Sequence, residues 1–186
     1  MKRLAALLVL FLLPHSSLHA ELFTSKEFGF TANLPGEQAG PIRMDSAAGP
    51  IVAFMSADEK TQLIYQVSFC HTKEFEKLEK IDGRLQKRLL EGHFEGQKLL
   101  AEIADAKSSW MEGTTRPVLE ISYRQVMPPE DGGGNLHTRK YVFMRGPAYI
   151  SLSVTGTANN EALKLAARKF FDSFEMTGEA KLLPRK

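Results

Sequence analysis

Apolar residues recur along this chain with two different periods, and the switches between them mark out strands and helices. From Phe28, the segment Phe-Gly-Phe-Thr-Ala-Asn-Leu-Pro alternates apolar with polar or small positions and runs into Pro35-Gly36. That pattern predicts a strand ending in a turn. Residues 37–50 carry repeated turn-forming residues and little periodicity, and they read as a loop. Residues 51–57 are a short apolar run, 58–61 are polar, and 62–70 are rich in aromatic and β-branched side chains, so together they predict a hairpin. The period then lengthens. Phe75, Leu78, Ile81, Leu85 and Leu89 recur at three- and four-residue steps, which predicts a helix with one apolar stripe. Thr72 is a suitable N-cap, Glu74 and Glu76 fall in the first turn, and Lys87 and Arg88 stand near an end placed before Gly92. Gly83 inside such a helix costs about 1 kcal/mol against Ala, so packing must hold it.

The second half returns to the short period. Residues 97–113 are ambiguous between helix and strand, and strand is preferred. Residues 118–126 (VLEISYRQV) alternate well enough for a strand, and 128–135 (PPEDGGGN) predict a flexible loop. Residues 136–144 and 148–154 predict two more strands, with Arg145, Gly146 and Pro147 as the tight turn between them. Asn159 and Asn160 then cap a helix whose Leu163, Ala166, Ala167, Phe170 and Phe174 share a face. Strands grouped in hairpins, with few helices between them, define the α+β class: an antiparallel β-sheet flanked by α-helices.

The N-terminus has a separate meaning. Lys2 and Arg3 precede ten unbroken apolar residues, 4–13, and Pro14 ends the run. A basic start, a short apolar stretch and a small residue, Ala20, before a change of composition form an export signal. Ten residues rise only about 15 Å as a helix, half of a hydrocarbon core, so the stretch is too short to span a bilayer. The expectation is a cleavable signal peptide at 1–20, one α+β domain at 21–177 and a frayed tail at 178–186. A soluble periplasmic or secreted protein would result, with no stable membrane anchor.

Charge narrows the partners. Lys2 and Arg3 are two of the 24 basic residues, so the mature chain balances its 22 acidic ones. Nucleic-acid binding and a polybasic membrane patch both need a basic excess that is absent here. One cysteine, Cys70, cannot staple the domain, and 43% hydrophobic residues with 12 Phe must supply the core instead.

The ordered elements resemble the Mog1/PsbP-like fold, in particular the PsbP-like or DcrB-like exported proteins of bacteria. The resemblance rests on the strand and Pro-Gly turn at 28–36. It rests also on the ending, Tyr-Val-Phe-Met-Arg-Gly-Pro-Ala-Tyr-Ile-Ser-Leu-Ser-Val-Thr-Gly at 141–156 followed by Phe-Phe-Asp-Ser-Phe at 170–174. The resemblance implies an α-β-α sandwich and carries no catalytic residue; it implies little about function, since members act by docking on other proteins and many have no assigned role.

Chemistry-bearing motifs are absent from the sequence: no Gly-x-Ser-x-Gly, His-Glu-x-x-His, Cys-x-x-Cys, Walker loop or EF-hand spacing occurs. Gly132, Gly133 and Gly134 lack the strand-to-helix setting of a phosphate loop. Cys70 and His71 are consecutive on a strand, so their side chains take opposite faces, whereas a nucleophile pair needs one face. His71, His93 and His137 fall at a strand end, a loop and a strand start, and read as surface histidines. No cofactor and no metal ligand set is assigned. Trp110 is a core residue or a docking anchor. Arg139 and Tyr141, with Lys140 between them, form a solvated edge or part of a docking face, and the 127–136 loop is a further docking place. The expected function is a non-catalytic envelope protein that binds a protein partner. The alternative is a small-ligand or metal carrier, or an enzyme, with a pocket between sheet and helices.

Overall fold

The computed structural model describes residues 22–46, 49–71, 82–100, 103–131, 133–146 and 148–177. Ten strands and two helices follow one another in these segments. They are β1 (Leu22–Ser25), β2 (Phe30–Asn33), β3 (Glu37–Ser46), β4 (Gly49–Asp58), β5 (Leu63–His71), α1 (Gly83–Leu100), β6 (Ile103–Trp110), β7 (Val118–Val126), β8 (Asn135–Arg145), β9 (Ala148–Gly156), α2 (Glu161–Ser173) and β10 (Glu175–Met176). The export signal, the start of the expected first helix at Thr72 and the C-terminal tail lie outside the described residues, as do Gly132 and Pro147.

Seven strands form one antiparallel sheet in the order β3-β4-β5-β9-β8-β7-β6, and β1, β2 and β10 form a small second sheet. The α+β expectation holds: α2 and the small sheet cover one face of the large sheet, and α1 covers part of the other. The period of two decides which residues go where. On the α2 face, Val67 and Phe69 of β5, Tyr141 and Phe143 of β8, and Ile150, Leu152 and Val154 of β9 meet Leu163, Ala167 and Phe170 of α2 and Phe28, Phe30 and Leu34. The residues between them turn to α1, where Leu119, Ile121, Val142, Met144 and Tyr149 pack on Leu90 and Phe94. Phe30 is the hub of the larger core, with its ring 5.2 Å from Phe54, 5.3 Å from Phe69 and 5.6 Å from Phe174.

Several expectations need correction. Residues 37–50 are not a loop: 37–46 form β3 and 49–50 begin β4, with 47 and 48 outside the described residues. Pro41 and Gly40 disguise β3, yet a proline is tolerated there because β3 is an edge strand whose outer side needs no ladder bond. The first helix does not end before Gly92. It continues through Gly92 and Gly96 to Leu100, so Lys87 and Arg88 lie near its start, and Gly83 opens it. Asp82 is the cap, its carboxylate accepting a hydrogen bond from the Leu85 N–H at 3.0 Å. The buried stripe is Leu90 and Phe94, while Leu85 is exposed. The β7–β8 connection is a loop as expected, and it contains local structure: Pro129–Asp131 form a 3-10 turn, and the Met127 N–H donates to the Gly134 carbonyl at 2.9 Å. By contrast β7 has the bounds its alternation predicts, and α2 begins after Asn160 as its capping sequence implies.

Candidate binding cleft

Where α2 leaves the sheet, an open cleft of about 600 Å³ lies between the helix, the β4–β5 turn and the end of β2. Each wall has a local cause. Asn160, in an extended conformation, caps α2 by accepting a hydrogen bond from the Leu163 N–H at 3.0 Å. That fixes where the helix starts and turns Leu163 and Phe170 inward. Asp58, buried at the end of β4, accepts hydrogen bonds from the Thr61 hydroxyl at 2.7 Å and the Lys60 N–H at 3.1 Å. This closes the hairpin turn as an Asx-type arrangement. Tyr65 stands edge-on to Phe170 at 5.4 Å, and burial, with the Asp58 charge as a second cause, pushes its phenol up.

Two features of the cleft are unmatched. Leu165, on the outward side of α2, is 55% exposed beside it. Asn33 Oδ1, on the β2 wall, is buried without a hydrogen-bond partner, although the Asn33 N–H donates to Ser173 Oγ at 3.0 Å. Buried acceptors are normally paired, so this one is a place where a donor fits. The cleft lining contains neither histidine nor cysteine, and its one carboxylate is engaged in the turn. It is suited to holding an apolar side chain and a hydrogen-bond donor.

The residues singled out from sequence do not converge on it. His93 is in α1, not in a loop, and it is packed inward with its ring 4.2 Å from the Tyr149 ring rather than lying on the surface. His137 is on β8 with the parity of Arg139 and Tyr141, so it faces the opposite side of the sheet from His93. The backbone of His71 ends β5 opposite Ala148. Among the described residues no group of three or more His, Cys, Asp or Glu side chains could hold a metal ion. Cys70 is a half-buried free thiol on the α1 side, and burial pushes its pKa up, which reduces its thiolate character.

Trp110 ends β6 half-buried against the α1 core, with the Lys87 amine 5.1 Å from its ring centre. Arg139 and Tyr141 are not on an edge: β8 is the third strand in from the β6 side. Arg139 reaches Glu120 at 3.4 Å and keeps partial access to solvent. The Tyr141 ring is 3% exposed, lies 4.7 Å from Phe171, and its phenol is pushed up to about 12 by burial and then by Glu120. Trp110 and Arg139 look out from opposite faces of the sheet, so they do not make one surface. The cleft residues Asn33, Asp58 and Leu165 escaped the sequence reading. Leu165 alone left a signal: a leucine on the polar side of α2, between Lys164 and Arg168.

Fold and cleft together define an antiparallel α+β sandwich protein with an open cleft beside its C-terminal helix. No protein-family model and no curated protein matches the chain. Solved structures similar to it include one from Bacteroides thetaiotaomicron VPI-5482, at 14% identity and a TM-score of 0.49, covering 86% of this chain and 49% of that one. The chain thus spans about half the length of that protein. A second is the cyanobacterial PsbP of Synechocystis sp. PCC 6803, at 14% identity and a TM-score of 0.47, covering 88% of this chain and 94% of the other. A third is a Pseudomonas aeruginosa protein of unknown function, at 14% identity and a TM-score of 0.43, covering 90% and 99%.

Proposed function

We propose that this chain is an exported, non-catalytic protein of the cell envelope that docks a protein partner in the cleft beside α2. The observation that carries the reading is exposed Leu165 on α2 in the same cleft lining as Asn33, whose Oδ1 is unsatisfied. A polypeptide supplies both complements at once, an apolar side chain for the floor and a backbone N–H for the acceptor. The leader pattern at 1–20 supports export. No helix among the described residues is long and apolar enough to cross a membrane.

The test is in-cell photo-crosslinking from position 165, with exposed position 88 on α1 as the control. One dominant protein captured from 165 and not from 88 is the expected result, and Leu165→Arg in the purified pair weakens binding at least tenfold. Equal capture from both positions, or none from 165 under efficient crosslinking, ends the docking reading. The cleft volume also lies within the range of small-molecule sites. If crosslinking is blank and a small apolar ligand stabilises the protein in a Leu163-dependent way, a carrier is the better description. Export is tested separately, by the mass of the mature N-terminus after expression in a secreting cell.

A further inference from the structure

The helix wall of the cleft has an order of its own. Leu165, Lys169 and Ser173 recur every four residues along α2, so they form one row, and each step along it rises about 6 Å. The far end of the row is pinned to β2, where the Asn33 N–H donates to Ser173 Oγ at 3.0 Å. Asn33, with its buried and unpartnered Oδ1, is thus held about one helical turn beyond Lys169, and the exposed Leu165 stands one turn before it. Asn33, Lys169 and Leu165 all line the one cavity, and Ala162 and Ala166, the next row in, present only methyl groups to it. Charge along α2 is uneven. Lys164 pairs with Glu161 at 3.7 Å and Arg168 with Asp172 at 3.1 Å. Lys169 is exposed, and no carboxylate among the described residues pairs with it. The other charge in the lining, Asp58, is buried and already accepts from Thr61 and Lys60. An incoming chain therefore meets, in order, an exposed leucine, an unpaired cation and an unpaired acceptor.

That order limits what fits. A fatty acid brings an apolar tail and a carboxylate but no N–H for Asn33. A docked helix keeps its amides bonded internally and has none to spare along its length. An extended polypeptide has free amides, and its alternate side chains share a face about 6.6 Å apart, close to the 6 Å step of the row. We propose that the segment held in the cleft is an extended stretch of a partner protein with an apolar residue and an acidic residue two positions apart. The apolar side chain packs on Leu165, the carboxylate pairs with Lys169, and a backbone N–H donates to Asn33 Oδ1. This inference rests on the docking reading above and adds the chemistry of the partner's segment. Apolar burial supplies most of the affinity. Lys169 supplies the choice, since an exposed ion pair changes affinity only a few-fold while a like charge in its place is rejected.

The experiment titrates the purified mature protein with two blocked peptides, acetyl-Ala-Leu-Ser-Glu-Ala-amide and the reversed acetyl-Ala-Glu-Ser-Leu-Ala-amide, and with the Gln and Lys analogues of each. The Leu165 methyl signals are followed by NMR. Saturable binding of at least one Glu peptide, about threefold weaker with Gln and about tenfold weaker with Lys, is the expected result. Lys169→Glu, at an exposed position, should keep the fold and invert the ranking in favour of the Lys peptide. Equal binding of the three analogues, a ranking that Lys169→Glu leaves unchanged, or no saturable response to any peptide overturns the proposal. Capture from position 165 judges the docking reading apart from this. A partner captured as well by Lys169→Glu as by the native chain removes the acidic segment and leaves docking standing. A blank capture from the native chain ends both.

Discussion

Burial of His93 between α1 and the sheet couples the stability of the protein to pH. The ring, ordinarily at 6.5, is lowered to about 4, by burial first and by the Lys140 charge second. Between those two values the unfolded chain binds a proton that the folded one refuses, so stability falls as pH drops from 6.5 to 4 and levels off below. Tyr149, against this ring, and Cys70, paired with Tyr149 across the strands, are neutral throughout that window, since burial raises both. The bound is about 3 kcal/mol at about 1.4 kcal/mol per pH unit, and partial solvent access brings the expected loss to about 2 kcal/mol. Urea unfolding from pH 7 to pH 4 measures it, and His93→Gln should flatten that part of the profile. A profile equally steep in the variant would place the effect elsewhere. Lys140, lowered to about 8 by burial, acts at higher pH: the unfolded chain binds the extra proton between about 8 and 10.5, so stability rises across that range. Lys140→Met should therefore raise stability at pH 7 by about 1 kcal/mol, read as a higher Tm. Nothing in the local sequence marks either residue as buried. His93 is flanked by Gly92, which reads as a helix end, and Lys140 sits between an arginine and a tyrosine on a strand that only pairing places inside the sheet.

Among the elements, glycine positions separate what local sequence can say from what it cannot. Gly92 lies in the middle of α1 with open space where a Cβ would go. Gly92→Ala should stabilise the protein by about 0.5–1 kcal/mol in thermal unfolding, through helix propensity alone. Gly36 is the opposite case. Its φ of +85° is in the left-handed region, and a Cβ there would overlap the Ala57 carbonyl. Gly36→Ala should cost several times what Gly92→Ala gains, and an unchanged Tm would mean that the β2–β3 turn is not as described. At α2, Asn160→Ala removes the acceptor for the Leu163 N–H and should cost about 1 kcal/mol. It should also loosen the wall of the cleft and weaken partner capture from position 165. β7, β8, β9 and α2 were legible because each has a sustained single period and a clear boundary signal. β3 was not, because Gly40 and Pro41 speak against a strand, and only its edge position lets it keep them. β1 and β10 are too short, at four and two residues, to show a period at all.

Across the whole molecule, two cores on opposite faces of one sheet share β8 and β9, so damage to either should propagate through the same strands. Phe30→Ala opens the centre of the larger core and should cost about 3–5 kcal/mol, with a single cooperative transition retained in denaturant. Two separate transitions would show that the faces unfold independently. The sequence by itself determined the class of the protein: alternation and the 3.6-residue stripe are local properties, and they name strand or helix without reference to anything distant. It determined also the small net charge, 24 basic residues against 22 acidic ones, and the absence of familiar catalytic motifs. Tertiary structure alone decided the strand order, and with it that Tyr141 is in the core while its neighbour Lys140 turns to the other face. It alone assembled the cleft, whose residues Asn33, Asp58, Tyr65, Asn160 and Leu165 span more than 130 positions. The reason is physical. Periodicity is written within each segment, but burial and contact depend on which distant segment covers it, and no single stretch of the chain carries that information.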